Sequence, residues 1–467
     1  MQPVRVLRAT PLQNTQNNFT MIDFTKLGKH SYAWDLIMPY YRFALCDVYF
    51  KEYNVVGREN IPSAGTPTFV IANHQNSALD ALIIVGMFKD YRQPVFLARG
   101  DVFKNNTVAK ILRFWRVMPT YRSQDSGGKS DLMKNLETFQ IAAGILKNGG
   151  VIGMFPEAAH QPGRYLSTFK KGVPRICFEA EEAAGYNLNL QILPVNLHYS
   201  NIFNFREKVL IEIGKPFGFG EFIETYKNNP NDAYLQFNEK ARAIFKTMVL
   251  DIEDKDHYEE YNLLRDVIRR SRMKNNYKRY SYFDEFNEEK KVIAEIDTLK
   301  AENPEKFEVL MTETKNYSEL LKKLNFRDWL VNKKQTGFGL CIKTLLMVLF
   351  FPFYVFGFIN NVIPCMPANM LAKKVKDKIF TGSIHFVIGF ILFPIWYLLI
   401  LLTASLISGS FLIGLSYTIL AFISLFVYFR YKVIFLKLRH AWRYFLQRKT
   451  DDIQQLTALK KRMLKTF

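Results

Sequence analysis

The pattern of hydrophobic and polar positions changes several times along the chain, and each change marks a different kind of element. Between residues 51 and 250, short apolar runs at 68–72, 95–98, 151–155, 191–197 and 209–213 are bounded by turn-forming residues and predict buried strands. They alternate with stretches of helical period at 131–147 and 173–184. Such alternation predicts an α/β fold: a mixed, largely parallel sheet with flanking helices and a ligand site outside the strand ends. Residues 31–50 are apolar and aromatic but carry Asp35, Pro39, Arg42 and Asp47, which suits an interfacial or docking helix. From 251 to 335 the chain turns charged, Tyr-rich and poor in Gly, as expected of a helical arm inserted after the α/β domain.

The C-terminal third reads differently. No Lys, Arg, Asp or Glu occurs from Ile379 to Phe429, long enough for two spans of about 20 residues each, with a break at Ser405 to Ser410. Lys373, Lys374, Lys376 and Lys378 precede this hairpin and Arg430, Lys432, Lys437 and Arg439 follow it, so both flanks are expected on the cytoplasmic side. The earlier run at 336–372 is broken by Pro352, Asn360, Asn361, Pro364 and Pro367 and has basic residues at both ends. A re-entrant or in-plane segment accommodates that charge better than one crossing. Residues 431–467 read as a basic amphipathic tail on the same surface. Residues 1–30 read as a polar leader without a signal-peptide core, with Met21 an alternative start.

A formal net charge of +20 calls for an anionic partner, either nucleic acid or an acidic bilayer face. Aromatics at 15% tip the choice to membrane lipids, because amphipathic rings favour the lipid interface. The basic stretch 265–279, with Tyr277 and Tyr280 interleaved, is accordingly assigned to a membrane surface and not to nucleic acid. The four cysteines and seven histidines are scattered without ligand-like spacing, so neither a metal nor a cofactor is expected.

Candidate chemistry starts where the 68–72 run ends, at Asn73-His74-Gln75-Asn76-Ser77-Ala78-Leu79-Asp80. A neutral imidazole at a strand end can take a proton from an attacking hydroxyl, and a carboxylate behind it fixes the tautomer. His74 and Asp80 supply one of each. Further blocks follow in order: 117–122 (VMPTYR), Phe155-Pro156-Glu157 and Ile192-Leu193-Pro194-Val195.

Together these blocks resemble the PlsC-type glycerophospholipid acyltransferase superfamily over residues 54–217. That family has an Asn-His…Asp pair, a segment ending in Arg, Phe-Pro-Glu-Gly-Thr-Arg and an apolar-Pro run. Five residues between His74 and Asp80, with Asn76 among them, are similar to a subgroup that includes fungal-type glycerol-3-phosphate/dihydroxyacetone-phosphate acyltransferases and bacterial lysophosphatidate acyltransferases. The resemblance implies His74 as general base and Asp80 as its orienting partner, with no acyl-enzyme. It also implies Asn73, Asn76, Arg122 and Glu157 in substrate binding. This chain has Ala158-Ala159-His160 in place of Gly-Thr-Arg, leaving His160, Arg164, Lys170 or Lys171 to supply the missing charge.

The implied protein is membrane-bound and multi-pass, with its catalytic domain facing the cytoplasm. It would take a fatty acyl group from acyl-CoA or acyl-carrier protein as co-substrate to 1-acyl-glycerol-3-phosphate. Glycerol 3-phosphate is the second acceptor, and a lipid-binding scaffold with a decayed site is the reading from another class.

Overall fold

The computed structural model describes residues 24–467 apart from 91, 122–128, 158, 161–162, 275–278, 332 and 334, and of 129–134 the backbone alone. Its sheet comprises β1 (Glu52–Val56), β2 (Thr68–Ala72), β3 (Val95–Arg99), β4 (Val117–Thr120), β5 (Val151–Met154), β6 (Gln191–Tyr199), β7 (Lys208–Ile213) and β8 (Phe217–Gly218). The order is β1-β7-β6-β2-β5-β3-β4, with β8 beside β6. Pairing is antiparallel where β6 meets β7 and β8, and parallel in the other described pairs. All five apolar runs are strands, and the sheet is mixed and largely parallel. The half-buried β1 and the two-residue β8 carry too little pattern to stand out in the sequence.

Helices α1 (Tyr32–Arg42), α2 (Ser77–Met87), α3 (Asn106–Phe114), α4 (Lys129–Lys147), α5 (Gly172–Ala183), α6 (Ile223–Asn228) and α7 (Pro230–Met248) flank this sheet. Strand β2 lies at its centre and is buried along its whole length. Side chains alternate across a strand, so Phe69 and Ile71 enter one core with residues of α4, α5 and α7, while Val70 and Ala72 enter the other with α1 and α2. The chain runs outward from β2 to β3 and β4, returns as β5 and crosses to β6. That crossing makes the C-terminal end of β2 a topological switch point, where α/β sheets hold ligands.

Helix α1 docks by Trp34, Met38 and Tyr41 and leaves Tyr32 and Leu36 exposed, so it has both a docked and an open apolar face. Residues 1–23 of the expected leader lie outside the described residues, while Leu27, in a 3-10 turn at Thr25–Gly28, is buried in the sheet core.

The arm consists of α8 (Tyr258–Arg272), α9 (Tyr282–Glu302) and α10 (Pro304–Leu324) around Tyr261, Phe286, Phe307 and Tyr317. The arginines at 265–272 of its basic stretch are paired within the arm, which corrects the membrane-surface assignment for that part. Arg265 and Arg269 grip Glu289 at 2.6 and 2.9 Å, and Arg272 pairs with Glu288 at 3.1 Å and Glu295 at 2.7 Å. Residues 275–278 of that stretch, including Tyr277, lie outside the described residues.

The remainder is α11 (Gly337–Leu349), α12 (Phe351–Lys374), α13 (Phe380–Ser408), α14 (Phe411–Gln447) and α15 (Asp451–Lys465). Helices α12, α13 and α14 are each long and apolar enough to cross a membrane. Asn361 ties them together: its Oδ1 accepts from Tyr397 Oη at 2.7 Å and its Nδ2 donates to Ser424 Oγ at 3.1 Å. The expected boundary at 430 falls inside α14, which continues to Gln447. The end of the tail also differs from a free surface helix. Ile453, Leu456, Leu459 and Met463 of α15 are buried in the arm core, because α10 offers their apolar face a partner.

Candidate active site

Asn73 and His74 are the first residues past β2. The Asn73 side chain extends the sheet ladder by one step, its Nδ2 donating to Leu197 O at 2.9 Å and its Oδ1 accepting from Leu197 N at 2.7 Å. Both ends of the amide are thus engaged with β6, and Asn73 fixes the place where His74 leaves the sheet. In this structure it acts on the backbone, whereas the sequence pattern grouped it with substrate-binding residues.

Beyond His74 the chain folds back. Ser77 has φ +48°, a left-handed conformation that costs a non-glycine residue roughly 1–2 kcal/mol. The reversal turns Asp80, in the first turn of α2, toward the residues before the helix. Its carboxylate is fully buried and collects four donors. Oδ2 accepts from His74 Nδ1 at 2.8 Å, Gln75 N at 2.8 Å and Asn76 N at 2.7 Å, and Oδ1 accepts from the Tyr199 hydroxyl. Such donors are what offset the cost of burying a carboxylate. Burial, then the charge of Asp80, pushes the Tyr199 phenol well above its ordinary range, so it stays a protonated donor. With Asp80 accepting at Nδ1, the imidazole carries its proton there and keeps the Nε2 lone pair for chemistry. The ring is held by Phe155, stacked at 4.1 Å between centroids and 12° between planes.

Glu157 sits beside this pair, 5% exposed, its Oε1 accepting from His74 N at 3.4 Å. Its Oε2 has no hydrogen-bond partner among the described residues. Burial pushes its carboxyl up to about 7, against the lowering effect of the His74 N–H and of Ser167. His74 and Glu157 share a narrow pocket with Gly163, Tyr165 and Leu250.

The other candidates divide. His160 is at the site, edge-on to the His74 ring at 5.8 Å, but its Nε2 meets Asp377 Oδ2 at 2.7 Å. Asp377 belongs to the loop between α12 and α13, and the Ile379 N–H followed by His160 holds its carboxyl below the usual range. A His-Asp pair therefore stands where the sequence pattern anticipated a free cation for phosphate.

Arg164 leans on the arm, its Nη1 donating to Asn262 Oδ1 at 3.2 Å and its backbone N to Tyr258 Oη at 2.8 Å. Lys171 stands at the N-cap position of α5 without a capping bond and donates to Asn231 Oδ1 at 3.1 Å. Both are turned to partners in other helices and not brought together with His74. Asn76 is buried at the start of α2, with Nδ2 on Ile202 O at 3.2 Å. Arg122 lies outside the described residues, just past the end of β4. No group of three or more His, Cys, Asp or Glu side chains among the described residues could hold a metal.

Three contributors were not singled out: Tyr199, 119 residues from Asp80; Asp377, 217 from His160; and Ser383, 304 from Leu79, to whose N–H it is bonded. No local spacing carries contacts of that range.

Residues 52–198, which include His74, Asp80 and Glu157, match the family described as Acyltransferase. The chain is 28% identical over 123 residues to the 1-acyl-sn-glycerol-3-phosphate acyltransferase LPAT1, chloroplastic, of Arabidopsis thaliana, covering 26% of this chain and 32% of that protein. It is 31% identical over 104 residues to the Glycerol-3-phosphate O-acyltransferase 2 of Saccharomyces cerevisiae, covering 22% and 14%. The crystal structure of the 1-acyl-sn-glycerophosphate (LPA) acyltransferase PlsC from Thermotoga maritima aligns with a TM-score of 0.30 and 22% identity, over 43% of this chain and 73% of that one. The chain thus spans about a third or less of the length of these curated relatives. Residues 52–198 thus form a domain of the Acyltransferase family, similar in sequence to that of glycerophospholipid acyltransferases.

Proposed function

We propose that the protein transfers a fatty acyl group from a CoA or carrier-protein thioester to a hydroxyl of a phosphorylated glycerol, with 1-acyl-glycerol-3-phosphate as the preferred acceptor. The observation that carries this is the His74–Asp80–Tyr199 relay at the switch point, with the basic Nε2 directed away from Asp80. In the reaction Nε2 takes the acceptor hydroxyl proton as that oxygen attacks the thioester carbonyl carbon. The tetrahedral adduct expels the thiolate, the C–S bond breaks, and the imidazolium returns the proton to sulfur. Asp80 stabilises the imidazolium in between. Lysophosphatidate is favoured over glycerol 3-phosphate because α13 packs directly on α2, so a bilayer-resident acceptor has a short route to His74. The family resemblance assigns the acceptor phosphate to Arg122.

Purified protein with labelled acyl thioester is expected to acylate lysophosphatidate faster than glycerol 3-phosphate, and a non-phosphorylated acceptor least. Equal rates with all three would remove the phosphate from the reading, and no transfer to any would remove the enzyme.

The membrane arrangement we propose is a two-span hairpin of α13 and α14 with the catalytic domain on the cytoplasmic side. Its two ends are both tied to folded parts, through Asp377 on His160 and through Arg443 Nη2 on Leu324 O at 3.2 Å. Helix α12 starts with Phe351 against the Tyr431 ring and ends shortly before Asp377. Tyr431 lies about 30 Å along α14 from the Gly409 turn, roughly one hydrocarbon thickness. Both ends of α12 therefore lie toward the catalytic side, which supports an in-plane or re-entrant course. Epitope tags at Gly409 and at the C-terminus should report opposite sides of the membrane, the C-terminal one cytoplasmic. Protection of both from cytoplasmic protease would overturn the arrangement.

A further inference from the structure

The catalytic helix α2 begins without a cap of its own. A helix leaves its first N–H groups unpaired, and the side chain at the N-cap ordinarily accepts one of them. Asn76 holds that position but makes no capping bond. Its Nδ2 is on Ile202 O, and its Oδ1 is buried with no partner among the described residues. The N–H groups of Gln75 and Asn76 are taken by Asp80. The N–H of Leu79, where a cap would act, is shared between Ser383 Oγ at 3.0 Å and Asn76 O at 3.1 Å.

Ser383 lies in the first turn of α13 and is 5% exposed. The same hydroxyl donates to Asn76 O at 3.3 Å, so it grips both the cap residue and the first turn. The seat around it is close. A Cβ added to Gly382 would stand 2.7 Å from Ile202 O and 3.2 Å from the Asn76 amide, and Gly382 O accepts from Tyr49 Oη at 3.0 Å. One turn on, Phe386 packs edge-on to Tyr49 and Tyr41.

We propose that Ser383 is a positioning residue for acyl transfer: the membrane hairpin caps the catalytic helix in trans, and the His74–Asp80 pair takes its working geometry only when α13 is seated. The inference rests on the transferase reading of His74 and adds a part of the site that lies outside the matched domain. Asp80 follows Leu79 directly, so a first turn released from Ser383 moves the carboxylate against His74 Nδ1. Ser383 is not among the residues lining the pocket that His74 shares with Glu157, so its loss is expected to act on kcat before substrate binding.

The test uses the full-length protein in liposomes, with acyl thioester and lysophosphatidate. Failure of the wild-type protein to transfer would sink the transferase reading and this assignment with it. Given wild-type turnover, Ser383→Ala is expected to lower kcat by about tenfold or more, because small misplacements of reacting groups are costly. KM for both substrates should stay within about twofold, as for a loss confined to the transition state. Ser383→Thr keeps the hydroxyl and should retain kcat within about threefold of wild type. Gly382→Ala displaces the turn while keeping the hydroxyl, and should reproduce the kcat-selective loss. Wild-type kcat in Ser383→Ala would overturn the proposal. So would a loss seen only in KM, or equal losses in Ser383→Ala and Ser383→Thr with a lowered thermal midpoint, which would assign packing alone.

Discussion

Asp80→Asn is expected to lower kcat by about a thousandfold while leaving the fold intact, within the 10²–10⁴ that a positioned base contributes. The substitution is nearly isosteric, and of the four donors around Asp80 only the Tyr199 O–H loses its acceptor. An asparagine oxygen in the place of Oδ2 accepts from Gln75 N and Asn76 N, and the amide nitrogen can donate to the Tyr199 oxygen. What is lost is the charge that stabilises the imidazolium, and with it the preference for a proton on Nδ1. His74→Ala removes the base itself and should be at least as severe. Both are read as kcat in the thioester assay beside a thermal unfolding curve. Turnover near wild type in folded His74→Ala would show that the proton leaves by another route.

The parts of this site that were legible in the sequence are those made by neighbouring residues. A buried apolar run ending in His, with a carboxylate six residues on, contains the strand, the exit and the pair. The left-handed Ser77 that lets them meet is invisible, because serine carries no signal for a positive φ. The charge-free run marked α13 and α14 for the same reason: composition alone sets which helices are apolar enough to lie in lipid. Candidates chosen by charge fared differently. Arg164 and Lys171 are the right residue type near the right motif, yet the fold turns one to Asn262 and the other to Asn231. His160 was found, but its carboxylate partner arrives from a loop 217 residues away. The basic stretch at 265–272 failed as a surface signal because α9 places Glu285, Glu288, Glu289 and Glu295 opposite its arginines, a match that only the helix pairing creates. Near-neighbour chemistry was readable, and complementarity between distant elements was not.

Glu157 carries the other large expected effect, on stability. Its carboxyl titrates at about 7 in the fold against an ordinary 4.5, because burial disfavours the charged form. Between those values the folded protein holds a proton that the unfolded chain has released. Stability is therefore fully present below pH 4.5 and falls as pH rises toward 7, by about 3 kcal/mol at 1.36 kcal/mol per unit. Glu157→Gln removes the titration and keeps an oxygen to accept from His74 N, while its amide nitrogen takes the place of the unpartnered Oε2. The variant should match wild type near pH 4.5 and exceed it by about 2–3 kcal/mol at pH 8, read from unfolding midpoints across that range. The acceptor KM should rise in the same variant, since Glu157 lines the pocket beside His74 and its unpartnered carboxylate oxygen is the natural acceptor for a substrate hydroxyl. A wild-type protein whose stability does not fall between pH 5 and 7 relative to Glu157→Gln would show that this carboxyl is solvated and that the pocket wall beside His74 is open.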